Sequence, residues 1–203
     1  MTADQLRSVW KRRFAKYSRW LHIYISMASC AIVLFFAVTG LTLNHADWFS
    51  GSERTTQATG QMNVAWTNTG TADVSKLDIV EFLRQTHHIS GAVVDVRSED
   101  RDLSIAFKGP GYAADVLVDR TTGRYELTES RLGLVAIVND LHKGRDTGGA
   151  WKILIDASAV LLTLISLTGL LLLYFVYKHR AAGYLLMGMG TAAACLMYLA
   201  FVP

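Results

Sequence analysis

Residues 21–43 read LHIYISMASCAIVLFFAVTGLTL and contain no Asp, Glu, Lys or Arg. A helix of this stretch would be about 35 Å long, which is enough to cross the hydrocarbon core of a bilayer. Two further apolar stretches, residues 153–177 and 183–202, contain a single charged residue, Asp156. The sequence therefore predicts three transmembrane helices, because a segment in lipid must satisfy its backbone hydrogen bonds internally.

The overall composition excludes several classes of protein. The chain has 203 residues, of which 51% are hydrophobic and 18% charged, so it is not disordered. Two cysteines cannot build a disulfide scaffold, and a net charge of +3 is too small to indicate nucleic-acid binding. The chain contains neither GxSxG nor HExxH, which gives no support for hydrolase or zinc-protease chemistry.

The flanking charges predict an orientation. Residues 46–151 contain 11 basic and 15 acidic residues, a net charge of −4. Since cytoplasmic loops carry the excess of Lys and Arg, the N-terminus is predicted to be cytoplasmic and residues 46–151 to lie outside. Residues 1–20 are expected to form a basic amphipathic segment on the inner leaflet. The cations before the first span are Arg7, Lys11, Arg12, Arg13, Lys16 and Arg19.

The segment between the first two spans predicts a small α+β domain at about residues 73–130. Residues 75–88 have the apolar stripe of a helix, and short strand candidates follow it. Residues 46–72 are rich in Gly, Thr and Ser and are predicted to be a loop. The strand candidates are residues 93–97, 103–107, 114–119 and 125–127. The complete order is a basic segment (1–20), a first span (21–45), an outer segment (46–151), a second span (152–178) and a third span (183–202).

Four of the six histidines lie at the predicted membrane boundaries. By position, His45 and His142 share the outer boundary, and His22 and His179 share the inner one. A b-type haem with two imidazole ligands requires two histidines on different helices at one depth. Ionisable groups at such depths are candidate functional residues. The alternatives are interfacial anchors and, for His179, membership of the inner cationic cluster.

Further residues near these histidines suit a haem site. The pattern Thr-Gly-Leu-x-Leu occurs in the first and the second span and places Gly40 and Gly169 there. Glycine would let a macrocycle approach the helix, although it also serves ordinary helix packing. Lys143 and Arg145 are placed to pair with haem propionates, or to lie in the headgroup zone.

Three runs of the chain, residues 19–24, 34–45 and 140–145, resemble the PepSY-associated transmembrane proteins. Residues 118–124, VDRTTGR, resemble part of a PepSY module. The resemblance implies a bacterial inner-membrane protein whose middle segment is a periplasmic PepSY-like domain. Larger relatives include haem-containing reductases of ferric siderophores. The family's haem ligands correspond by motif to His22, His45 and His142, whereas His179 is assigned by depth alone.

We therefore expect a b-type haem protein that moves electrons across the inner membrane to ferric iron or a ferric siderophore. A quinol or a cytoplasmic donor would supply the electrons. One or two haems would bind per chain, or a haem would be shared across a homodimer, which would supply a six-helix bundle. The alternative is a membrane-tethered PepSY binding or regulatory module, or a transporter accessory subunit, without redox activity.

Overall fold

A computed structural model describes residues 3–49, 51, 53–67, 75–175 and 178–203. The chain forms two compact units. The first, the helical unit, comprises Met1–Leu34 and Asp156–Pro203, and the second, the sheet unit, comprises Phe35–Ile155.

Three long helices confirm the predicted number of apolar helices. They are α1 (Ala3–Asn44), α5 (Gly148–Phe175) and α6 (Arg180–Phe201), and each is long and apolar enough to cross a membrane. Helix α1 begins at Ala3, so the basic amphipathic segment and the first apolar stretch form one continuous helix. Residues 176 and 177 of the predicted second span lie outside the described residues.

Small polar side chains are buried within the helical unit. The Ser29 hydroxyl donates to the carbonyl of Ile25 at 2.7 Å, and the Thr168 hydroxyl donates to the carbonyl of Leu164 at 2.7 Å. Such bonds to the preceding turn satisfy a hydroxyl in an apolar environment without water. These side chains are therefore compatible with a helix in lipid.

The sheet unit contains a five-stranded antiparallel sheet with the strand order β1-β5-β4-β3-β2. The predicted strands at 93–97, 103–107, 114–119 and 125–127 are confirmed, with somewhat wider bounds. The strands are β1 (Arg54–Gln61), β2 (Ala92–Ser98), β3 (Asp102–Gly109), β4 (Tyr112–Asp119) and β5 (Arg124–Arg131).

The prediction of a loop over residues 46–72 was wrong at three elements, a strand and two short helices. Strand β1 pairs with β5 along its whole length, from Arg54 opposite Arg131 to Gln61 opposite Arg124. Its sequence, RTTQATGQ, does not alternate apolar and polar residues. Such alternation is not needed, since β1 is an edge strand whose side chains are mostly exposed. Two short helices also lie in this segment, a 3-10 helix at Ala46–Phe49 and α2 at Val64–Thr67.

One face of the sheet forms the core with helix α3 (Lys76–His87), which confirms the predicted helix. The helix ends at His87, one residue before the predicted end, and His88 adopts a left-handed conformation with φ 54°. Alternate residues of β3 and β4 face this core, as the period of a strand requires. The largest fully buried apolar side chains are Ile79, Leu83, Leu103, Ile105, Phe107, Val116 and Val118.

The turn between β4 and β5 explains the residues that resemble a PepSY module. The Asp119 carboxylate accepts from the backbone N–H groups of Thr121 and Thr122, at 2.8 and 3.1 Å. The Arg120 side chain donates to the carbonyl of Thr67 at 3.0 Å. Gly123 has φ +70°, and a Cβ there would lie 2.5 Å from the carbonyl oxygen of Met62. Only glycine fits this position.

The Asp119 turn predicts an acid-sensitive contribution to the stability of the sheet unit. Hydrogen bonds from Thr121, above all from its hydroxyl, lower the pKa of Asp119 from 3.8 to about 2. A carboxyl with a lowered pKa stabilises the fold above its unfolded pKa, and this contribution is lost as the pH falls from about 4 to about 2. Denaturant titrations of the wild type and of Asp119→Asn across this range will measure it. We expect the free energy of unfolding to change less between about pH 4 and pH 2 in the variant than in the wild type. An equal change in both proteins would contradict the prediction.

Candidate histidine sites

His142 lies in the last turn of a short helix, α4 (Leu134–Lys143), which was not predicted from the sequence. The helix ends at Gly144, and the backbone N–H of Arg145 donates to the carbonyl of Asp140 at 2.9 Å. The indole N–H of Trp151 donates to the carbonyl of Leu141 at 2.8 Å. These bonds satisfy carbonyls at the end of the helix and fix the turn that carries His142.

The His142 side chain contacts helix α1. Its Nδ1 lies 2.7 Å from the hydroxyl oxygen of Thr39, which itself donates to the carbonyl of Phe35 at 2.7 Å. We infer that the hydroxyl hydrogen stays on this carbonyl, so that the Thr39 oxygen accepts the Nδ1–H of the imidazole. A Cβ at Gly40 would lie 3.4 Å from the His142 Cε1. Thr39, Gly40 and His142 are called the His142 site.

The same arrangement recurs in the helical unit. Nδ1 of His22 on α1 lies 2.9 Å from the hydroxyl oxygen of Thr168 on α5. The Thr168 hydroxyl donates to the carbonyl of Leu164 at 2.7 Å, and by the same inference its oxygen accepts the Nδ1–H of the imidazole. A Cβ at Gly169 would lie 3.5 Å from the His22 Cε1. His22, Thr168 and Gly169 are called the His22 site.

The two sites share one chemistry. In each, a Thr-Gly pair on one helix meets a histidine from another element, and Nδ1 of the imidazole lies within 2.9 Å of the threonine hydroxyl oxygen. A neutral imidazole with Nδ1 protonated keeps its lone pair on Nε2. Histidines that bind metals commonly donate their second ring N–H to a protein acceptor in this way. His22 and His142 are therefore suited to bind iron through Nε2.

His45 and His179 lie in different surroundings. His45 follows the end of α1, and its half-buried ring stacks on Trp48 with 4.0 Å between the ring centroids and 13° between the planes. His179 precedes α6, is exposed, and its carbonyl accepts from the N–H of Gly183 at 2.9 Å. The pairing of His45 with His142 and of His22 with His179 stays a prediction.

Lys143 and Arg145 are both exposed at the end of α4. This location suits a basic residue because the carbonyls at a helix C-terminus carry partial negative charge. It also leaves their cationic groups free to meet an anionic ligand. Their proposed contact with haem propionates stays a prediction.

Sequence reasoning did not assign roles to Thr39, Thr168 or Asn139. Asn139 is buried, and its side-chain oxygen accepts from the hydroxyl of Thr42 at 2.8 Å. The available signal was the repeated Thr-Gly-Leu-x-Leu pattern, in which the glycines were singled out and the threonines were not. Within the described ranges, no three His, Cys, Asp or Glu residues form a group that could hold a metal ion.

Three long apolar helices, with an antiparallel α+β domain inserted between the first two, define a membrane protein with an inserted sheet domain. A family model described as Putative PepSY_TM-like matches residues 16–203, so the chain belongs to this family. The membership confirms the resemblance drawn from the sequence. Comparisons with curated proteins and with solved structures gave no match.

Proposed function

We propose that the protein is a b-type haem protein of the bacterial inner membrane that moves electrons across the bilayer to ferric iron or a ferric siderophore. The observation that carries the proposal is the pair of imidazoles, His22 and His142, each with Nδ1 within 2.9 Å of a threonine hydroxyl oxygen, to which we assign the Nδ1–H as donor. This bonding leaves Nε2 in the form that binds iron. Membership of the PepSY_TM-like family supports the membrane setting.

The proposed orientation rests on the distribution of charge. The cations at the start of α1 would lie in the cytoplasm, and residues 46–151, which carry an acidic excess, would lie in the periplasm. The His22 site would then be the inner site and the His142 site the outer one. Electrons would enter near His22 and leave near His142.

A quinol is the proposed donor at the inner site. An apolar cavity of about 380 Å³ in the helical unit is lined by aromatic and aliphatic side chains together with Thr168, the threonine of the His22 site. A cavity of this composition suits a flat ligand dissolved in the bilayer. The lining residues are Phe14, Tyr17, Ser18, Trp20, Leu21, Thr168 and Leu171.

The chain's own residues would hold and orient the haem. When bound, haem supplies an iron that changes reversibly between Fe(III) and Fe(II). His22 and His142 would hold the haem through Nε2, and Thr168 and Thr39 would orient their rings. His45 and His179, or histidines of a second copy in a homodimer, are the candidates for further ligands. Reduction weakens the hold of hard oxygen ligands on iron, which would release the metal for uptake.

A visible spectrum of the full-length protein, purified in detergent, tests the proposal. We expect a Soret band that shifts when dithionite is added, sharp α and β bands, and reoxidation of the reduced protein by a ferric siderophore. Haem quantified per chain will distinguish one site from two. A protein that stays colourless after expression with added haem would contradict the proposal.

A second candidate is a membrane-tethered binding module, and one feature of the sheet favours it. Strand β1 is an edge strand, and a cavity of about 460 Å³ lies where β1 pairs with β5. An open edge beside a cavity can accept an extended peptide as an added strand. The lining residues are Thr59, Gly60, Gln61, Arg124, Tyr125 and Glu126. Peptide binding by a protein that holds no haem would favour this function, or that of a transporter accessory subunit.

A further inference from the structure

The sheet contacts helix α4 through the turn between β3 and β4. The backbone N–H of Gly111 in this turn donates to Oδ2 of Asp140 at 2.9 Å. The carbonyl of Gly111 accepts from the N–H of Leu132, just after β5, at 2.8 Å. The N–H of Gly111 therefore links the sheet to helix α4, and its carbonyl links the turn to the end of β5.

This contact is a close approach of two backbones. Gly111 has φ +64°, and a Cβ there would lie 2.4 Å from Cγ1 of Ile137 and 3.3 Å from the Ile137 backbone nitrogen. A side chain at this position would be strained by its conformation and would also push against the helix. The turn thus lies directly on α4, and only glycine permits the contact.

Helix α4 uses two faces for two partners. Ile137 and Asp140, three residues apart, contact the sheet turn. Asn139 and His142, also three residues apart, contact Thr42 and Thr39 on α1. Residues at this spacing lie on one face of a helix. The helix therefore holds His142 on one face while the sheet holds the helix by another.

The position of helix α4 depends on contacts with other parts of the chain, among them the sheet turn, helix α1 and the Trp151 indole. The helix is ten residues long, and its N-cap residue, Gly133, has no side chain that could cap it. Helices of this length are marginal in isolation, so their position depends on tertiary contacts.

We propose that the sheet sets the position of His142. Asp140 is the positioning residue, because its bond to the Gly111 N–H holds helix α4 against the sheet. A displaced α4 would weaken the bond between the His142 Nδ1–H and Thr39, because that bond joins the far face of the helix to α1. The sheet domain would thus orient the imidazole of the outer site. The effect of this positioning on a bound iron rests on the function proposed above, whereas its effect on the His142 imidazole does not.

The ring nitrogens of His142 provide the test. In full-length protein purified without haem and labelled with ¹⁵N, we will measure the ratio of the Nδ1–H to the Nε2–H tautomer of His142. Asp140→Ala is expected to lower this ratio roughly 2- to 10-fold, the effect of weakening one hydrogen bond. Asp140→Asn keeps an acceptor oxygen for the Gly111 N–H and is expected to restore the wild-type ratio. Asp115→Ala, which removes an exposed carboxylate from β4, is the matched control.

Gly111→Ala tests the same contact from the sheet side. It leaves Asp140 in place and is expected to lower the tautomer ratio as Asp140→Ala does. Amide protection of the core residues Ile105 and Val116 will show that the sheet remains folded. In the haem-loaded protein, both variants are expected to shift the midpoint potential, and Asp140→Asn to leave it near the wild-type value. Unchanged ratios in both disrupting variants would overturn this inference, whereas a wild type without haem would contradict only the proposed function.

Discussion

Replacing His142 with Ala is expected to remove haem from the outer site and to lower the haem content of the purified protein by roughly half, if each site holds one haem. His22→Ala is expected to have the same effect at the inner site, and the double variant to be colourless. The reason is that each imidazole offers an Nε2 lone pair whose orientation is fixed by a threonine. The measurement is the pyridine haemochrome absorbance per chain.

His88→Asn serves as the control for these variants. His88 lies outside both sites and has a left-handed backbone, which Asn tolerates better than most residues. Its haem content should equal that of the wild type. Undiminished haem in His142→Ala would show that His142 is not a ligand. His45→Ala and His179→Ala, measured in the same way, will show whether either supplies a second axial nitrogen.

Replacing Phe107 with Ala is expected to lower the free energy of unfolding of the sheet unit by about 3–5 kcal/mol. The Phe107 side chain is 0% exposed and belongs to the core between the sheet and α3. Its removal would leave a cavity that the neighbouring strands cannot fill, because both β2 and β4 pair with β3. For a small domain this is a large part of the total stability.

Leu117→Ala is the matched control for this prediction. Leu117 lies on the neighbouring strand β4, but its side chain is 50% exposed on the other face of the sheet. We expect a loss of less than about 1 kcal/mol. Trp66 packs against the core and reports unfolding by its fluorescence in urea titrations. Equal midpoints for Phe107→Ala and the wild type would contradict the assignment of Phe107 to the core.

The apolar helices could be predicted from the sequence because composition alone decides whether a helix tolerates lipid. The strands β2 to β5 could be predicted because turn residues separate short runs rich in apolar side chains. Strand β1 could not, since RTTQATGQ has no buried face and owes its conformation to backbone pairing with β5. Helix α4 was also missed, because the packing of Gly111 on Ile137 joins residues that are distant in the sequence.

The candidate sites could likewise be predicted only in part from the sequence. His22 and His142 could be selected because each lies at the edge of an apolar stretch. Their partners could not, since 103 residues separate Thr39 from His142 and 146 separate His22 from Thr168. Position along the chain suggested that His45 would pair with His142, but it gives no information about ring contacts such as the stacking of His45 on Trp48.

Helix α1 contributes a histidine to one site and a threonine to the other, which has a consequence for biosynthesis. Helix α1 leaves the ribosome with one histidine and one Thr-Gly pair, and it can complete neither site by itself. The site at Thr39 is complete only after residue 142 is synthesised, and the site at His22 only after residue 168. The His142 site is therefore completed before the His22 site during translation. A chain truncated before Thr168 lacks at least one complete site. Full cofactor loading would therefore mark those chains whose synthesis has passed Gly169.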